Sequence, residues 1–469
     1  MRKQNEAVLG YLPDERPTFW KLLLYAIQQV IVMFPATITV ALITGFQVST
    51  TIFASGLATI CFVFITGKKI PMYYGSSFSY LSAIAGLVAA QGYAKINGIL
   101  PVEAIKIAQF GIIASGLVSI AAGVIVKFAG RNVIEKILPA TITGSIAMVI
   151  GLTLAGNALS DAAPVFTAPA NYALGSGWVW VVSLVTLLST IFFSKYLKGF
   201  LGQLPLLLGA AVGCLAAAVI YWVGGADYNL FRALPPEALA ASAWKLGEGS
   251  IFALPAFSMP KVSWVAVAAI MPIAIATIPE STAHIYQLDV YVNDLSEKKG
   301  RGDFGLANLL HRNLIGDGLC DMITGVIGGP AGTNYGENIS TMAITKVFSI
   351  PVMIAAAIIA MLVSCFTPLI QVIYGIPTAV IGGLEMYLFG AIAAQGIAIM
   401  IDKKVDMFSA KNIAVIATII VIGVGGQYAF GGSIPFFGIN VPCIAGAAIF
   451  GIVINLLLSI GKKGAPVSE

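Results

Sequence analysis

The chain has 469 residues, a formal net charge of +5 at neutral pH, 58% hydrophobic residues and only 10% charged residues. Soluble domains contain roughly 45–50% apolar and about 25% charged residues, so a water-soluble fold of this composition would expose more apolar surface than a monomer tolerates. Intrinsic disorder is excluded because it requires low hydrophobicity. We therefore expect a protein that folds in a lipid bilayer, and the small net charge gives no sign of nucleic-acid binding.

Apolar stretches long enough to cross a bilayer recur along the whole sequence. They predict an all-α polytopic membrane protein with about fourteen transmembrane segments, each of about 20 residues. The third and tenth segments are the least helical by hydropathy. In chain order the predicted segments are 21–43, 48–66, 74–90, 107–128, 134–155, 178–194, 203–223, 264–286, 306–327, 337–349, 351–373, 377–400, 411–425 and 440–460.

Basic residues are distributed unequally between the two sides of these segments. If the N-terminus is cytoplasmic, most of the 26 Lys and Arg residues fall in inner loops. The outer loops then contain only Lys95, Lys106, Arg232, Lys245 and Lys261. This bias follows the positive-inside rule, so we expect a multi-pass protein of the cytoplasmic membrane with both termini inside. The polar N-terminus lacks a cleavage site, so no cleavable signal peptide is predicted, and the outer loop at 224–262 is interpreted as a cap.

Five acidic residues interrupt the apolar segments: Glu280, Asp317, Asp321, Glu337 and Glu385. An ionisable residue at a helix centre costs about 2.5–3.5 kcal/mol on insertion scales, so such residues are paired, face a water-filled cavity or are functional. For Asp317 and Asp321, local pairing near His311 and Arg312 and a functional role are equally open. For Glu385 we favour a structural role against a partner helix.

Glu280 lies in the stretch MPIAIATIPESTAHIYQL. Pro272 and Pro279 are expected to interrupt its helix and to free backbone groups that need partners. His284 follows Glu280 by one helical turn, so both side chains are predicted on the same face. An imidazole one turn from a buried acid indicates function rather than packing alone.

Two predicted segments are broken by glycine and polar residues. Glu337 lies in GGPAGTNYGENISTMAITK at 328–346, and PMYYGSSFSYLS at 71–82, where Phe78 is expected to open a helix, has the same character. Irregular backbone at membrane depth is tolerated only when it is buried in protein or lines a cavity. Because both breaks hold the third place in a run of seven segments, they predict inverted halves whose helix starts meet near the bilayer midplane. A re-entrant loop of purely structural use is the alternative.

The groups expected at this junction suit a flat, neutral heterocycle. Glu280 and Glu337 can accept hydrogen bonds from ring N–H groups, backbone amides can donate to ring carbonyls, and Phe78 and Tyr335 can stack. No cluster of basic residues at membrane depth offers the usual clamp for phosphate or sulfate. Helix N-termini alone can hold a small anion, but two carboxylates would repel it.

Three stretches carry a family resemblance: GSSFSYLS at 75–82, PESTAHIYQL at 279–288 and TNYGENISTMAITKVFS at 333–349. They resemble the nucleobase–ascorbate transporter family, and within it the uracil permease branch. The family signature is an acid or amide, Asn, any residue, Gly, four residues, Thr and then a basic residue or Gly. Glu337, Asn338, Thr345 and Lys346 match it, whereas Ser340 replaces the Gly.

The first span departs from the family as well, because Gln28-Gln29 stands where Gln-His is usual. Phe389 stands where the uracil permease branch can carry a Tyr, and Glu385 is unexpected at its position. These departures bear on which substrate is chosen and on the coupling cation.

The resemblance implies a 7+7 inverted repeat with short extended segments in spans 3 and 10. Its core domain would comprise residues 1–130 and 263–375, and its gate domain residues 131–262 and 376–469. It further implies proton-coupled uptake of a nucleobase, foremost uracil, by alternating access in a homodimer that needs no cofactor or metal. The implied substrate contacts are Glu280, Glu337, Tyr335, the backbone at Phe78 and Gly336, and His284 through water, and the implied proton-coupling groups are Glu280, Glu337 and His284.

Several other functions are weighed against this one. A xanthine or other purine permease would differ only in its substrate, and Na⁺ could replace H⁺ as the coupling ion. An inorganic-anion transporter of the same fold would be expected to carry a neutral or basic residue in place of one buried acid. An ion channel would need a polar stripe through the full membrane depth, and a membrane enzyme would need a nucleophile–base pair or a metal cluster. The sequence displays none of these last three features.

Overall fold

The computed structural model describes residues 10–96, 98–130, 136–163, 176–199, 201–232, 251–437 and 439–460. Both predicted cytoplasmic termini and residues 233–250 of the predicted outer cap lie outside these ranges. The described part is mostly helical, and nine of its helices are long and apolar enough to cross a membrane.

The helices of the described part are α1 Phe19–Thr44, α2 Val48–Ile65, α3 Leu81–Ala90, α4 Val102–Ala129, α5 Ala140–Thr153, α6 Ala155–Ala162, α7 Ser176–Tyr196, α8 Pro205–Gly224, α9 Trp264–Ile270, α10 Ala274–Lys298, α11 Leu310–Ile327, α12 Gly336–Thr345, α13 Ile350–Ser364, α14 Thr367–Gly375, α15 Thr378–Asp402, α16 Ala410–Phe430 and α17 Cys443–Leu457. The strands are β1 Tyr74–Ser76, β2 Gly332–Asn334, β3 Ser433–Phe436 and β4 Ile439–Pro442.

Most of these helices pack into two groups. In the first helix group, formed by α1–α4 and α9–α13, α4 packs on α11 and α2 packs on α13. In the second helix group, formed by α5–α8 and α15–α17, α5 packs on α15, α7 on α8 and α16 on α17. Small residues permit these close approaches, as is common between membrane helices. A Cβ atom added to Gly116 of α4 would lie only 2.3 Å from the carbonyl oxygen of Gly318 of α11.

The two extended segments predicted in spans three and ten pair with each other inside the first helix group. β1 and β2 are antiparallel, with Gly75 opposite Thr333. After β1, a 3-10 turn at Phe78–Tyr80 leads into α3, and after β2 the chain enters α12. Pairing the strands satisfies backbone groups that would otherwise be unbonded at membrane depth.

Two glycines make this strand pair possible. A Cβ atom on Gly75 would lie 2.3 Å from the ring of Tyr335, and a Cβ atom on Gly332 would lie 2.4 Å from the ring of Tyr74. The glycine of each strand is therefore covered by a tyrosine ring from the opposite segment. The same kind of contact occurs in both broken segments, as expected for two inverted halves.

Two predicted spans are divided in the structure. The span at 264–286 ends its first helix at Ile270, passes through a 3-10 turn that contains Pro272, and continues as α10 to Lys298. The expectation that Pro279 also interrupts the helix is wrong, since Pro279 lies inside α10. Neighbouring groups in a helix bundle can satisfy the carbonyl that a proline frees.

The span at 351–373 is also divided, into α13 and α14. Pro368 lies in the first turn of α14, where a residue without an N–H group loses no helical hydrogen bond. Hydropathy did not reveal this break because the residues on both sides of it are apolar.

The segment before α1 forms a strap across one end of the first helix group. The backbone N–H of Tyr11 donates to the carbonyl oxygen of Lys346 over 2.8 Å, and the N–H of Phe348 donates to the carbonyl oxygen of Tyr11 over 2.7 Å. Arg301 donates two hydrogen bonds, of 3.0 and 2.7 Å, to the Asp14 carboxylate. This contact lowers the pKa of Asp14 below its ordinary value. The strap thereby fixes the end of α12 to the loop that follows α10.

Candidate functional site

A cavity of about 1090 Å³ lies between the two helix groups. At one end it reaches Asp402 and Lys403, which are exposed at the end of α15. At the other end the rings of Phe78 and Phe389 make an edge contact, with centroids 6.4 Å apart. The cavity is therefore open toward the end of the bundle where α15 ends and closed toward the end where α15 begins.

All six residues predicted to bind substrate line this cavity. Their roles remain predictions, but their meeting has a structural cause, because the pairing of β1 with β2 brings Phe78 beside the start of α12, and α10 passes the same point. The six residues are Glu280 and His284 on α10, Phe78 after β1, and Tyr335, Gly336 and Glu337 at the start of α12.

The two carboxyl groups face the same space from different helices. Glu280 and Glu337 are both half-buried, and they are close enough for their charges to interact. Glu337 lies in the first turn of α12, where the helix dipole favours negative charge. No cation of the described residues neutralises either carboxyl. Their oxygens are consequently available to hydrogen-bond donors of a ligand.

His284 lies directly behind the start of α12. A Cβ atom on Gly336 would lie 3.0 Å from its Nε2 atom, so the imidazole lies against the backbone of that glycine. Its Nδ1 atom is buried and has no hydrogen-bond partner among the described residues. A buried polar atom without a partner is uncommon in proteins, and it indicates a position for a water molecule or a ligand atom.

The contacts of Tyr335 indicate a structural role in addition to its predicted contact with substrate. Its hydroxyl lies 3.0 Å from Thr37 Oγ1 and donates to the carbonyl oxygen of Ser76 over 3.0 Å. The residue is 4% exposed, and its ring covers Gly75. The Tyr335 hydroxyl is therefore occupied with holding the strand pair together, and only the ring remains for contact with a substrate.

Asp317 and Asp321 turn toward the strand pair rather than toward the nearby His311 and Arg312. Asp321 accepts hydrogen bonds from the Tyr74 hydroxyl, over 2.5 Å, and from the N–H of Gly332, over 2.8 Å. Asp317 accepts a hydrogen bond of 2.8 Å from Asn334 Nδ2. These contacts are not the local pairs with His311 and Arg312 that the sequence allowed, and they tie α11 to both strands.

Gln29, which departs from the family pattern in the first span, contacts the signature residue Asn338. Asn338 donates to the carbonyl oxygen of Gln29 over 3.0 Å and to its Oε1 atom over 2.7 Å. Ser340, which replaces the signature Gly, lines the cavity.

Sequence reasoning missed the wall that α15 contributes to the cavity. Leu388, Ile392 and Gln395 line it at successive turns. The apolar members carry no signal that distinguishes them from ordinary membrane-helix residues. Gln395, a polar residue in an apolar stretch, was the one available hint.

Comparisons with known proteins identify the family of the chain. The model of the permease family matches residues 20–432. The chain is 35% identical over 458 residues to the uracil permease of Bacillus caldolyticus, covering 97% of this chain and 95% of the relative. It is 33% identical over 458 residues to the putative pyrimidine permease RutG of Escherichia coli (strain K12), covering 97% of this chain and 94% of the relative.

Two solved structures share the fold at low sequence identity. The transmembrane domain of a cyanobacterium bicarbonate transporter, BicA, has a TM-score of 0.57 at 15% identity and covers 96% of this chain and 99% of its own. The murine anion transporter Slc26a9 in the inward-facing state has a TM-score of 0.61 at 12% identity and covers 98% of this chain and 73% of its own. These likenesses confirm the predicted inverted-repeat fold.

Proposed function

This chain belongs to the permease family, and on that premise we propose that it carries a nucleobase, foremost uracil, inward across the cytoplasmic membrane together with a proton. The observation that supports this most directly is the meeting, in one cavity, of two carboxyls that no described cation neutralises, an unpartnered imidazole nitrogen and the start of α12. The names of the relatives, uracil permease and pyrimidine permease, favour the same substrate class.

Uracil has two ring N–H donors and two carbonyl acceptors, which complement these groups. We propose that Glu280 and Glu337 accept hydrogen bonds from the ring N–H groups. The backbone N–H groups at Phe78 and Gly336 would donate to the carbonyl oxygens, and His284 would act through a water molecule. A site built from hydrogen bonds rejects related molecules strongly, because a wrong ligand leaves buried polar groups unpaired.

We propose that the first helix group is the core domain, the second helix group is the gate domain, and uptake proceeds by alternating access. The basic residues near the open end of the cavity support a cytoplasmic position of that end, by the positive-inside rule. The conformation described here would then be open to the cytoplasm and closed to the outside by the contact of Phe78 with Phe389.

A competition experiment tests the proposed substrate and the coupling ion together. Purified protein in proteoliposomes would take up radiolabelled uracil at two external pH values, with and without sodium, against a panel of unlabelled bases and anions. We expect uracil to compete better than xanthine, acid outside to stimulate uptake, and sodium to have no effect. Stronger competition by xanthine would favour a purine permease, whereas competition by bicarbonate or sulfate would favour an anion transporter.

Glu337→Gln tests direct contact with the ring. The substitution replaces an acceptor oxygen by an NH₂ donor, so one ring N–H of uracil loses its partner. A hydrogen bond to a charged group contributes about 1.5–3 kcal/mol, so we expect uracil to bind roughly ten- to a hundredfold more weakly in a calorimetric titration. Glu103→Gln makes the same change at an exposed surface ion pair, and it should leave affinity unaltered. Wild-type affinity and ligand ranking in Glu337→Gln would argue against contact.

A further inference from the structure

A second group of charged residues lies at the closed end of the bundle, away from the proposed substrate site. Lys95, in the loop between α3 and α4, interacts electrostatically with Asp161 of α6, Glu385 of α15 and Arg232, which follows α8. Glu385 precedes Phe389 by one turn on α15, so it lies beyond the contact that closes the cavity. Neither of the two acids lines the cavity, and the transport cycle proposed above uses none of these four residues.

The two acids form a carboxyl pair. The backbone of Asp161 and Ala162 packs against Gly382, one turn before Glu385 on α15, and the carboxyl groups of Asp161 and Glu385 interact with one another. Glu385 is 0% exposed, and no N–H or O–H group of the described residues donates to either of its oxygens. Two ionised carboxylates that are close neighbours repel each other, and a proton shared by the pair removes this repulsion.

The surrounding charges indicate where that proton lies. Asp161 interacts with two cations, Lys95 and Arg232, and it is only half-buried. Glu385 is completely buried. The negative charge is therefore more stable on Asp161, and Glu385 is the protonated partner that donates to it. Within the described ranges Tyr374 is a further titratable neighbour, and it interacts with Arg232.

The cluster joins the two domains proposed above. Lys95 Nζ donates to the carbonyl oxygen of Ile43 in α1, so this ammonium group is held by the core domain. Lys95 is exposed at the surface of the loop, and the Asp161 and Glu385 carboxyls favour its charged ammonium form. The lysine is thus a cation that is held by the core domain beside two acids of the gate domain.

Arg232 contacts both domains at the same place. Its Nε atom donates to the carbonyl oxygen of Ile376 over 2.7 Å. Its Nη1 atom would lie 3.1 Å from a Cβ atom on Gly98, in the same loop as Lys95. The loop between α3 and α4 therefore contacts Arg232 through Gly98 and carries Lys95 beside the carboxyl pair in the conformation described here.

The acid pair itself belongs to one rigid unit. A Cβ atom on Gly382 of α15 would lie 2.0 Å from the backbone nitrogen of Ala162. Because α6 and α15 are in such close contact, Asp161 and Glu385 move together with the gate domain. Lys95 moves with the core domain, so displacement of the core removes a cation from Asp161.

We propose that Asp161 and Glu385 form a second proton-binding site, one that couples closure of the extracellular end to the external pH. The proposal rests on the transport function and orientation proposed above. When the core moves and Lys95 departs, loss of a cationic neighbour favours the protonated form of Asp161. Because such coupling is reciprocal, external protons favour the state in which the extracellular end is open. This site regulates access to the cavity, and the proton that it binds is distinct from the proton that travels with the substrate.

A cysteine reporter can follow closure of this end without any substrate. Ser433 at the start of β3 lies across the domain boundary from α3, with its hydroxyl 3.5 Å from a Cβ position on Gly86. In a background with the five native cysteines replaced, Ser433→Cys would be labelled by a membrane-impermeant thiol reagent at acidic and alkaline external pH. Phe437→Cys, at a 93% exposed position in the same hairpin, corrects for thiol ionisation. We expect the ratio of labelling at 433 to labelling at 437 to rise severalfold on acidification.

Three variants decide the role of the pair. Asp161→Asn and Lys95→Met should each abolish the pH dependence of labelling. At both pH values their labelling ratio should equal the ratio that the wild type shows at acidic pH. Glu385→Gln keeps a donor to Asp161 and should retain the pH dependence. A wild-type pH response in either Asp161→Asn or Lys95→Met would overturn the proposal. If Asp161→Asn fails to fold, Lys95→Met provides the same test, because it changes a residue in a loop. An absence of uracil uptake would refute the proposed function, but it would not affect the labelling ratio.

Discussion

Glu280→Gln should abolish concentrative uracil uptake and leave the protein folded. Glutamine preserves the shape of the side chain, but it cannot bind the proton that we expect to enter with the substrate. One elementary charge moving through 100 mV supplies about 2.3 kcal/mol, which corresponds to roughly fiftyfold accumulation. Without a coupled proton the expected accumulation ratio falls to about one. Uptake into proteoliposomes with an imposed membrane potential and pH gradient measures this ratio directly.

The matched control is Glu297→Gln, the same substitution at an exposed position on the same helix, which should accumulate uracil as the wild type does. Exchange of internal for external uracil requires no net proton movement, so Glu280→Gln should retain part of this activity. If Glu280→Gln instead accumulates uracil at the wild-type level with an unchanged pH dependence, Glu280 is not the coupling group.

Gly332→Ala should remove both stability and transport. The added Cβ atom would lie 2.4 Å from the carbonyl oxygen of Gly75 and 2.4 Å from the ring of Tyr74. The carbonyl belongs to the paired strand and cannot rotate away, so the strands must separate. Overpacking typically costs about 1–3 kcal/mol, and here it also breaks the pairing that brings Phe78 to α12. We expect a lower midpoint of thermal unfolding in detergent and no measurable uracil binding.

Gly425→Ala is the appropriate comparison for that variant, because an added Cβ atom there meets nothing within 4 Å. Alanine is about 1 kcal/mol more favourable than glycine in a helix interior, so this variant should be as stable as the wild type or more stable. An unchanged unfolding midpoint in Gly332→Ala would mean that the strand pair tolerates more separation than its geometry indicates.

The breaks in spans three and ten were predictable because their cause is local. Glycine and polar residues at membrane depth need an environment that shields the backbone, and both segments display them in the sequence. The register of β1 against β2 was not predictable, since it depends on how Tyr74 and Tyr335 fit over glycines of the opposite segment. The same holds for Asp317 and Asp321, whose partners come from the distant strands rather than from neighbouring turns.

Errors and omissions in the predicted site also have physical causes. Pro279 was expected to end a helix, but a packed bundle satisfies the carbonyl that it frees. Glu385 was interpreted as a structural residue facing a partner helix, and the acid that it faces there, Asp161 on α6, is remote in sequence and could not be identified from it. Composition and spacing show that an acid is buried, but they do not show which charges it faces.

The strand pair has a consequence for biosynthesis. Roughly 260 residues separate β1 from β2, which at ~5–20 residues per second takes the ribosome roughly 10–50 s to translate. During that interval the backbone of β1 has no partner strand, and hydrocarbon offers none. Water or the insertion machinery must therefore solvate β1 until β2 has been synthesised, and nascent chains stalled before β2 should be exposed to quality-control proteolysis.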